Sequence, residues 1–174
     1  MSPSERDRFR SWMGLWPTGV SVVTAADGRR PFGMTVNAFL SVSLEPPTVL
    51  VSLANDADST PVILRTRRFA VNLLAHDQRA LSECFAQAIP AAEKFAGLPT
   101  RPGQGGVPLL EATLGALECA VGAVHPAADH QLVLGTVEEL HEGRSVPPLL
   151  FHRSRYAEAD GAGALTLASA PPKA

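Results

Sequence analysis

Apolar and polar residues alternate along residues 35–44, just before the double proline Pro46-Pro47. The apolar positions are Val36, Ala38, Leu40, Val42 and Leu44, and the small polar ones are Thr35, Asn37, Ser41 and Ser43. A period of two predicts one extended segment with an apolar and a polar face. Uncharged donors and acceptors suit a flat ligand with polar edges. An ordinary half-buried strand with a solvated face is the other interpretation.

The rest of the chain predicts more strands than helices. Ser4 caps a predicted helix over 4–15, whose stripe is Phe9, Trp12, Met13 and Trp16. Shorter helices are predicted at 61–66 and 77–88, a hairpin turn at Asp27-Gly28 and a loop at 97–108. Strands are predicted near 19–25, 30–36, 48–53, 69–74, 113–124, 131–141 and 148–151, with 165–167 as a candidate last strand. Strands that follow strands predict an antiparallel sheet, and barrel-like closure hides its edges.

Composition excludes several function classes. A chain of 174 residues with a net charge of -2 fits one domain and gives no electrostatic case for nucleic acid or an anionic membrane. The N-terminus lacks an apolar leader and no apolar run reaches spanning length, so we expect a cytoplasmic protein. Cys84 and Cys119 form no CxxC pair, so we expect no zinc site and two small buried side chains.

The loop at 55–61 is the best candidate anion site. Thr60 is the predicted N-cap and Pro61 the first helical residue, and a helix N-terminus offers free N–H groups and partial positive charge. Ser59 and Thr60 add hydroxyl donors, and three arginines follow within two turns: Arg65, Arg67 and Arg68. A plain capped helix with a basic, solvated end is the alternative.

A second candidate is the pair Asp129-His130 at a strand–loop junction, where a histidine beside a carboxylate can orient or protonate a ligand. A surface-turn histidine is the alternative. Tyr156 with Arg155 could pack on a ring or pair with a phosphate. The chain has no GxGxxG after a strand, no P-loop, no HExxH and no GxSxG, which disfavours dehydrogenase-type dinucleotide binding and hydrolase chemistry.

An ordered set of short motifs nevertheless resembles a known family. The motifs run from about Phe9 to Tyr156, and the main ones are Pro17–Val20, Gly33–Phe39, Ser41–Leu44 with Pro46-Pro47, Phe69–Leu74, Lys94–Gly97, Leu117–Cys119, Asp129-His130 with Gly135–Val137, and Pro148–Leu150 with Arg155-Tyr156. Together they resemble the short-chain flavin reductase family, the reductase components of two-component flavin monooxygenases.

The resemblance implies a mainly β, antiparallel Greek-key split β-barrel that binds FMN and acts as a homodimer. It implies hydride transfer from NADH or NADPH to FMN, or to FAD, with reduced flavin passed to a partner monooxygenase. By position, the flavin would lie along Met34, Thr35, Val36, Asn37 and Ala38, with Ser52, Leu53 and Ala54 as its other wall. Ser59 and Thr60 would hold the phosphate. His130 would be the catalytic residue on the nicotinamide side, and Tyr156 would lie near the same mouth.

One position departs from the family pattern, since Ala128 stands where the family usually has glycine before Asp-His. We expect residues 1–156 to form the flavin reductase-like FMN-binding domain and residues 157–174 to be an Ala/Gly-rich C-terminal extension outside the resemblance. Three other functions stay open. They are a flavin- or haem-binding split barrel without nicotinamide turnover, a pyridoxamine-phosphate-oxidase-like enzyme using Arg153 and Arg155, and a structural subunit that has lost the site.

Overall fold

The computed structural model describes residues 4–159 and 165–167. Three antiparallel sheets and four short α-helices form its architecture. The first half of the chain contains α1 (Glu5–Met13), β1 (Thr18–Gly19), β2 (Ser21–Asp27), β3 (Arg30–Val36), β4 (Phe39–Leu44), β5 (Pro47–Ala54), α2 (Ser59–Thr66) and β6 (Arg68–Leu73). The second half contains α3 (Arg79–Phe85), α4 (Ala91–Lys94), β7 (Thr100–Pro102), β8 (Pro108–Leu110), β9 (Gly115–Ala127), β10 (His130–Glu142), β11 (Leu149–His152), β12 (Arg155–Ala159) and β13 (Leu165–Leu167).

The main sheet has seven strands in the order β3-β2-β6-β9-β10-β5-β4. A second sheet has the order β1-β11-β12-β13, and β7 pairs with β8. This architecture confirms the predicted mainly β, antiparallel split barrel. The candidate strand at 165–167 is present as β13, and the remainder of the extension, 160–164 and 168–174, lies outside the described residues.

The core lies inside the seven-stranded sheet. Phe69, Leu53 and Ile63 are fully buried in one apolar cluster. Phe69 also lies against Gly135, where a Cβ atom would come within 2.5 Å of its ring and 2.9 Å of the Cys119 Cβ. Burial raises the pKa of the Cys119 thiol to about 12, so this cysteine stays protonated and packs as an apolar side chain.

Two polar side chains are buried in the sheet with their hydrogen bonds satisfied. The Asn72 amide donates to the Val22 carbonyl at 3.0 Å and accepts from the Leu110 N–H at 2.8 Å. The Thr24 hydroxyl donates to the Pro108 carbonyl at 2.6 Å. Because a buried polar group is costly without a partner, these bonds fix β8 against β2 and β6.

Several predicted boundaries are wrong. The alternation along 35–44 is broken at Asn37-Ala38 into β3 and β4, since Ala38 turns its carbonyl to the Ser52 N–H at 3.0 Å. Helix α2 begins at Ser59 with Asp58 as its N-cap, so Thr60 is in the first turn instead of at the cap. The 77–88 helix is a 3₁₀ turn followed by the shorter α3, and the 97–108 loop contains β7 and the start of β8.

Helix α1 begins as predicted, because Ser4 and Asp7 form a capping box. The helix ends at Met13 and not at the predicted residue 15, so Trp16 lies beyond it. The predicted apolar stripe is exposed, with Phe9 at 67%, Trp12 at 72% and Trp16 at 71% of full accessibility. The helix thus lies on the surface of this chain. Within the described residues, no helix is long and apolar enough to cross a membrane.

Candidate functional site

A wide cleft of about 1610 Å³ opens between α1, the segment that joins β3 to β4, and the hairpin that joins β9 to β10. Three of the predicted site residues line it, namely Asn37, Ala38 and His130. The other nine do not line it: Met34, Thr35, Val36, Ser52, Leu53, Ala54, Ser59, Thr60 and Tyr156. Two of these nine, Ser52 and Ala54, nevertheless pair through the backbone with the lining residues Ala38 and His130.

Backbone pairing brings the two predicted flavin walls together. The Ser52 N–H donates to the Ala38 carbonyl, and in the β5–β10 register Ala54 lies opposite His130. Leu53, between them, is fully buried in the core. Backbone pairing therefore makes neighbours in space of residues 37–38, residues 52–54 and His130, although 93 positions separate Asn37 from His130 in the sequence.

The residues just before the cleft segment face away from it. Val36 is buried in the core, and Met34 packs on the same cluster. The Thr35 hydroxyl donates to the Ser82 carbonyl at 2.7 Å, which ties β3 to α3. The Thr35 hydroxyl thus donates its hydrogen bond within the protein. Met34, Thr35 and Val36 therefore shape the strand that leads into the cleft.

Tyr156 lies on the far side of the same α3 contact. Its hydroxyl is 2.9 Å from the Ser82 Oγ, its ring packs edge-on to Phe151 at a centroid distance of 5.5 Å, and the Arg79 guanidinium lies 5.2 Å from the ring centre. Ser82 is fully buried between Thr35 and Tyr156. The structure therefore connects Tyr156 to β3 through Ser82, a link that no local sequence pattern marks.

The candidate anion site has one unusual feature, a buried hydroxyl without a partner. Ser59 is 2% exposed, and within the described residues its Oγ has no hydrogen-bond partner. Thr60 uses both of its donors, because its hydroxyl donates to the Ala54 carbonyl at 2.7 Å and its N–H to the Ala57 carbonyl at 3.0 Å. Asp58 makes no side-chain cap. Ser59 is therefore the hydroxyl that is free for a ligand at this helix N-terminus.

The three arginines near this site are engaged elsewhere. Arg65 pairs with Asp27 at 2.8 Å and Arg68 with Glu138 at 2.7 Å. Arg67 donates to the carbonyls of Val121 and Gly122. The arginines lie at the C-terminal end of α2, so the anion site consists of the helix N-terminus and hydroxyls alone.

The β9–β10 hairpin holds His130 against Asp129. The His130 Nδ1 lies 2.8 Å from the Asp129 Oδ1. This hydrogen bond holds the pKa of the Asp129 carboxyl below its usual range, with Arg6 of α1 adding a smaller effect of the same sign. The carboxylate thus stays charged at neutral pH and leaves Nε2 as the ring nitrogen available to a ligand.

Asn55 and Gln131 join this hairpin to the anion loop. The Asn55 N–H donates to the Asp129 carbonyl at 2.9 Å, and its amide donates to the Ala128 carbonyl at 3.2 Å. Gln131 donates to the Asn55 Oδ1 at 2.8 Å. The sequence did not single out Asn55 and Gln131, because the only signal is that each polar residue directly follows a predicted site residue, Ala54 or His130.

The hairpin turn itself is strained at one residue. Ala128 has a φ of +52°, at the first of the two central turn positions, where glycine is favoured. We expect Ala128→Gly to raise the free energy of unfolding by about 1 kcal/mol, because glycine adopts this conformation without a Cβ clash.

Denaturant unfolding measures that change. Ala127→Gly, at the last residue of β9, is the matched control and should lower stability, since glycine weakens a strand. An Ala128→Gly protein that is less stable than the parent would show that the backbone at Ala128 is not strained.

Within the described residues, no cluster of three or more His, Cys, Asp or Glu side chains could hold a metal ion. The Glu118–His141 pair, joined at 2.7 Å, is a carboxylate–histidine pair that lies apart from the cleft. Sequence reasoning did not single out this pair, whose residues lie on adjacent strands β9 and β10.

Comparisons with known proteins show which family the chain belongs to. The family described as "Flavin reductase like domain" matches residues 13–160. The reductase subunit HsaB of a flavin-dependent monooxygenase from Mycobacterium tuberculosis is 39% identical over 150 residues, which cover 85% of this chain and 79% of HsaB. An NADH-dependent FMN reductase from Streptomyces nodosus subsp. asukaensis is 40% identical over 157 residues, covering 87% and 83%. The crystal structure of nitrilotriacetate monooxygenase component B from Mycobacterium thermoresistibile superposes with a TM-score of 0.87 at 33% identity, covering 97% and 93%.

Proposed function

Because the chain belongs to the flavin reductase-like family, we propose that it transfers hydride from NADH to FMN and releases the reduced flavin to a separate monooxygenase. FAD and NADPH are the alternative flavin and nicotinamide. The observation that carries the proposal is the buried, unpartnered Ser59 hydroxyl at the N-terminus of α2, next to a cleft large enough for a flavin ring.

The residues present fit the flavin phosphate at α2. The Ser59 Oγ can donate to a phosphate oxygen, and the first turn of the helix adds its partial positive charge. Thr60, whose donors are used, would fix the loop to Ala54 and thereby position Ser59. Ser52, Leu53 and Ala54 then connect this end of the site to His130.

The ring would lie in the cleft beside Asn37 and Ala38. When bound, the flavin supplies the ring that accepts the hydride. We propose that the backbone N–H groups of Asn37 and Ala38 favour negative charge at the ring edge, as donors aimed at developing charge do. The bond from Ser52 to Ala38 holds that segment in place, while Met34, Thr35 and Val36 anchor it to the core and to α3.

His130 would orient the nicotinamide. Asp129 fixes one ring nitrogen and leaves Nε2 to face the second substrate. Tyr156 would act at the same end of the cleft indirectly, through Ser82, which Thr35 of β3 contacts. No protein nucleophile is required by this chemistry.

Steady-state assays test the proposed function. NADH oxidation is followed with purified protein, with and without added FMN. Oxidation that requires added FMN supports a reductase with diffusible flavin, and oxidation by yellow protein alone supports one with a bound flavin. Failure with both flavins and both nicotinamides would contradict the proposal in favour of a binding protein.

We further propose that the chain is a homodimer, because β4 is an edge strand of the main sheet and exposes its apolar side chains. Leu40, Val42 and Leu44 are 51%, 48% and 89% exposed. A register shift between Ser41 and Ser43 puts Leu40 opposite Leu50 and Leu44 opposite Pro47, so the two leucines project from opposite faces of this edge. Exposed large apolar side chains are typical of interaction surfaces, and a second copy that packs along the edge would bury them by two-fold symmetry.

Leu44→Glu should therefore convert a dimer into a monomer, because each interface would acquire two unpaired carboxylates. Light scattering coupled to gel filtration measures the mass. Ser41→Glu adds the same charge to a polar position of the same strand and should remain dimeric. A parent protein that is monomeric at micromolar concentration would contradict the homodimer.

The remaining expectations are proposals of the same kind. We propose a cytoplasmic location, a monooxygenase as the acceptor of reduced flavin, and residues 1–156 as the unit that carries the activity. The similarity to HsaB, the reductase subunit of a flavin-dependent monooxygenase, supports the monooxygenase partner.

A further inference from the structure

Helix α1 directs one of its faces into the cleft. Arg6, Phe9, Arg10 and Met13 all line the cavity, at the spacing that places residues on one side of a helix. No residue of α1 is buried, so this face borders open space.

The guanidinium groups of the two arginines are not held in ion pairs within the described residues. Within residues 4–159, neither Arg6 nor Arg10 forms an ion pair, whereas Arg65, Arg68 and Arg144 all do. Across the cleft lie Asp129 and His130, and Arg6 is near enough to lower the pKa of Asp129. Ser59 is not part of the cleft lining, so the arginines mark a second anionic position beyond the one at α2.

The size of the cleft leaves room for a second ligand group. Pockets for a single small molecule usually measure about 300–1,000 Å³, and this one is about 1610 Å³. Residues four apart on a helix have Cβ atoms about 5–6 Å apart. Two guanidinium groups at that separation can therefore converge on one diphosphate, which they bind with paired, charge-assisted hydrogen bonds.

We propose that Arg6 and Arg10 bind the diphosphate of the nicotinamide dinucleotide, on the side of the cleft that faces His130. The inference rests on the proposed reductase function for the identity of this ligand. FAD also carries a diphosphate, so the chemistry recognised is that of a dinucleotide diphosphate, and the experiment separates the two sources.

The kinetic test uses the double variant Arg6→Gln/Arg10→Gln with FMN as the flavin. The KM for NADH should rise about tenfold, because two charge-assisted contacts are lost, while kcat stays near that of the parent. The artificial donor 1-benzyl-1,4-dihydronicotinamide has no phosphate, so its oxidation should not change. Arg8→Gln, on the opposite face of α1 and outside the cleft, is the matched control.

A binding test is independent of turnover. ADP-ribose carries the diphosphate without the nicotinamide, and calorimetry with the full flavin-free chain measures its affinity. We expect binding to the parent and to Arg8→Gln, weakening with salt, and about tenfold weaker binding to the double variant. Equal affinity of parent and double variant for ADP-ribose overturns the inference.

The two tests distinguish the possible failures. An unchanged KM for NADH with a raised KM for FAD would assign the arginines to FAD and overturn the nicotinamide assignment. Should the parent oxidise no nicotinamide at all, the reductase function fails, and the ADP-ribose titration still decides whether Arg6 and Arg10 bind a diphosphate.

Discussion

Ser59→Asp is expected to weaken FMN binding by about a hundredfold, because a carboxylate beside a phosphate costs several kcal/mol. Ser59 is buried at the first turn of α2, and its Oγ is the free donor there within the described residues. Aspartate is compatible with a helix N-terminus, so the helix itself should persist. Fluorescence titration with FMN measures the effect.

Riboflavin makes this experiment specific, because it has the ring without the phosphate. Its affinity should be the same for the parent and for Ser59→Asp. Ala80→Asp, at an exposed position in the first turn of α3, adds the same charge elsewhere and should leave both affinities unchanged. An equal loss of affinity for FMN and riboflavin would show that the substitution damages the fold. An unchanged affinity for FMN would show that the phosphate does not bind at α2.

The second large effect concerns stability. His141→Leu should lower the free energy of unfolding by about 3 kcal/mol, because it leaves a buried charge without its partner. Glu118 is 3% exposed, and its two carboxylate oxygens accept from the His141 Nε2 at 2.7 Å and from the Gln104 N–H at 2.6 Å. Without His141, the carboxylate keeps only the backbone donor.

The double variant Glu118→Leu/His141→Leu isolates the cause. Removing both partners should restore much of the loss, since replacing both members of a buried hydrogen-bonded pair by apolar side chains costs little. His125→Leu, at an exposed position on β9, is the control for the substitution itself. Denaturant unfolding of the four proteins gives the comparison, and a His141→Leu protein as stable as the parent would show that the pair contributes little.

The sequence predicted the fold class because its signals are local or ordered along the chain. The capping box at Ser4, the Asp27-Gly28 turn and the runs of β-branched residues specify elements on their own. The motif set then predicted a site along β3, β5, the start of α2 and the β9–β10 hairpin, with Tyr156 near it.

The break at Asn37-Ala38 could not be predicted in the same way. A period of two shows which side chains share a face, and it does not show where a strand leaves its neighbour or which face is covered. Here the segment changes partners from β2 to β5, and a register shift between Ser41 and Ser43 puts the exposed side chains of Leu40 and Leu44 on opposite faces of β4.

The links that support the site were invisible for another reason. Asn55 bonds to a residue 73 positions away, Gln131 to one 76 positions away, and Thr35 meets Ser82 across 47 positions. Such contacts depend on the assembled barrel. The cations of α1 were overlooked because their role follows from the cleft they border, which no local pattern describes.

Anaerobic mixing of the full chain and FMN with NADH tests the central claim most directly. With the protein present, we expect the flavin absorbance to bleach mole for mole with the NADH oxidised, and more slowly in His130→Ala. Admission of oxygen should restore the flavin colour. Flavin that binds without bleaching under excess NADH would contradict the account and leave a flavin-binding split barrel without reductase activity.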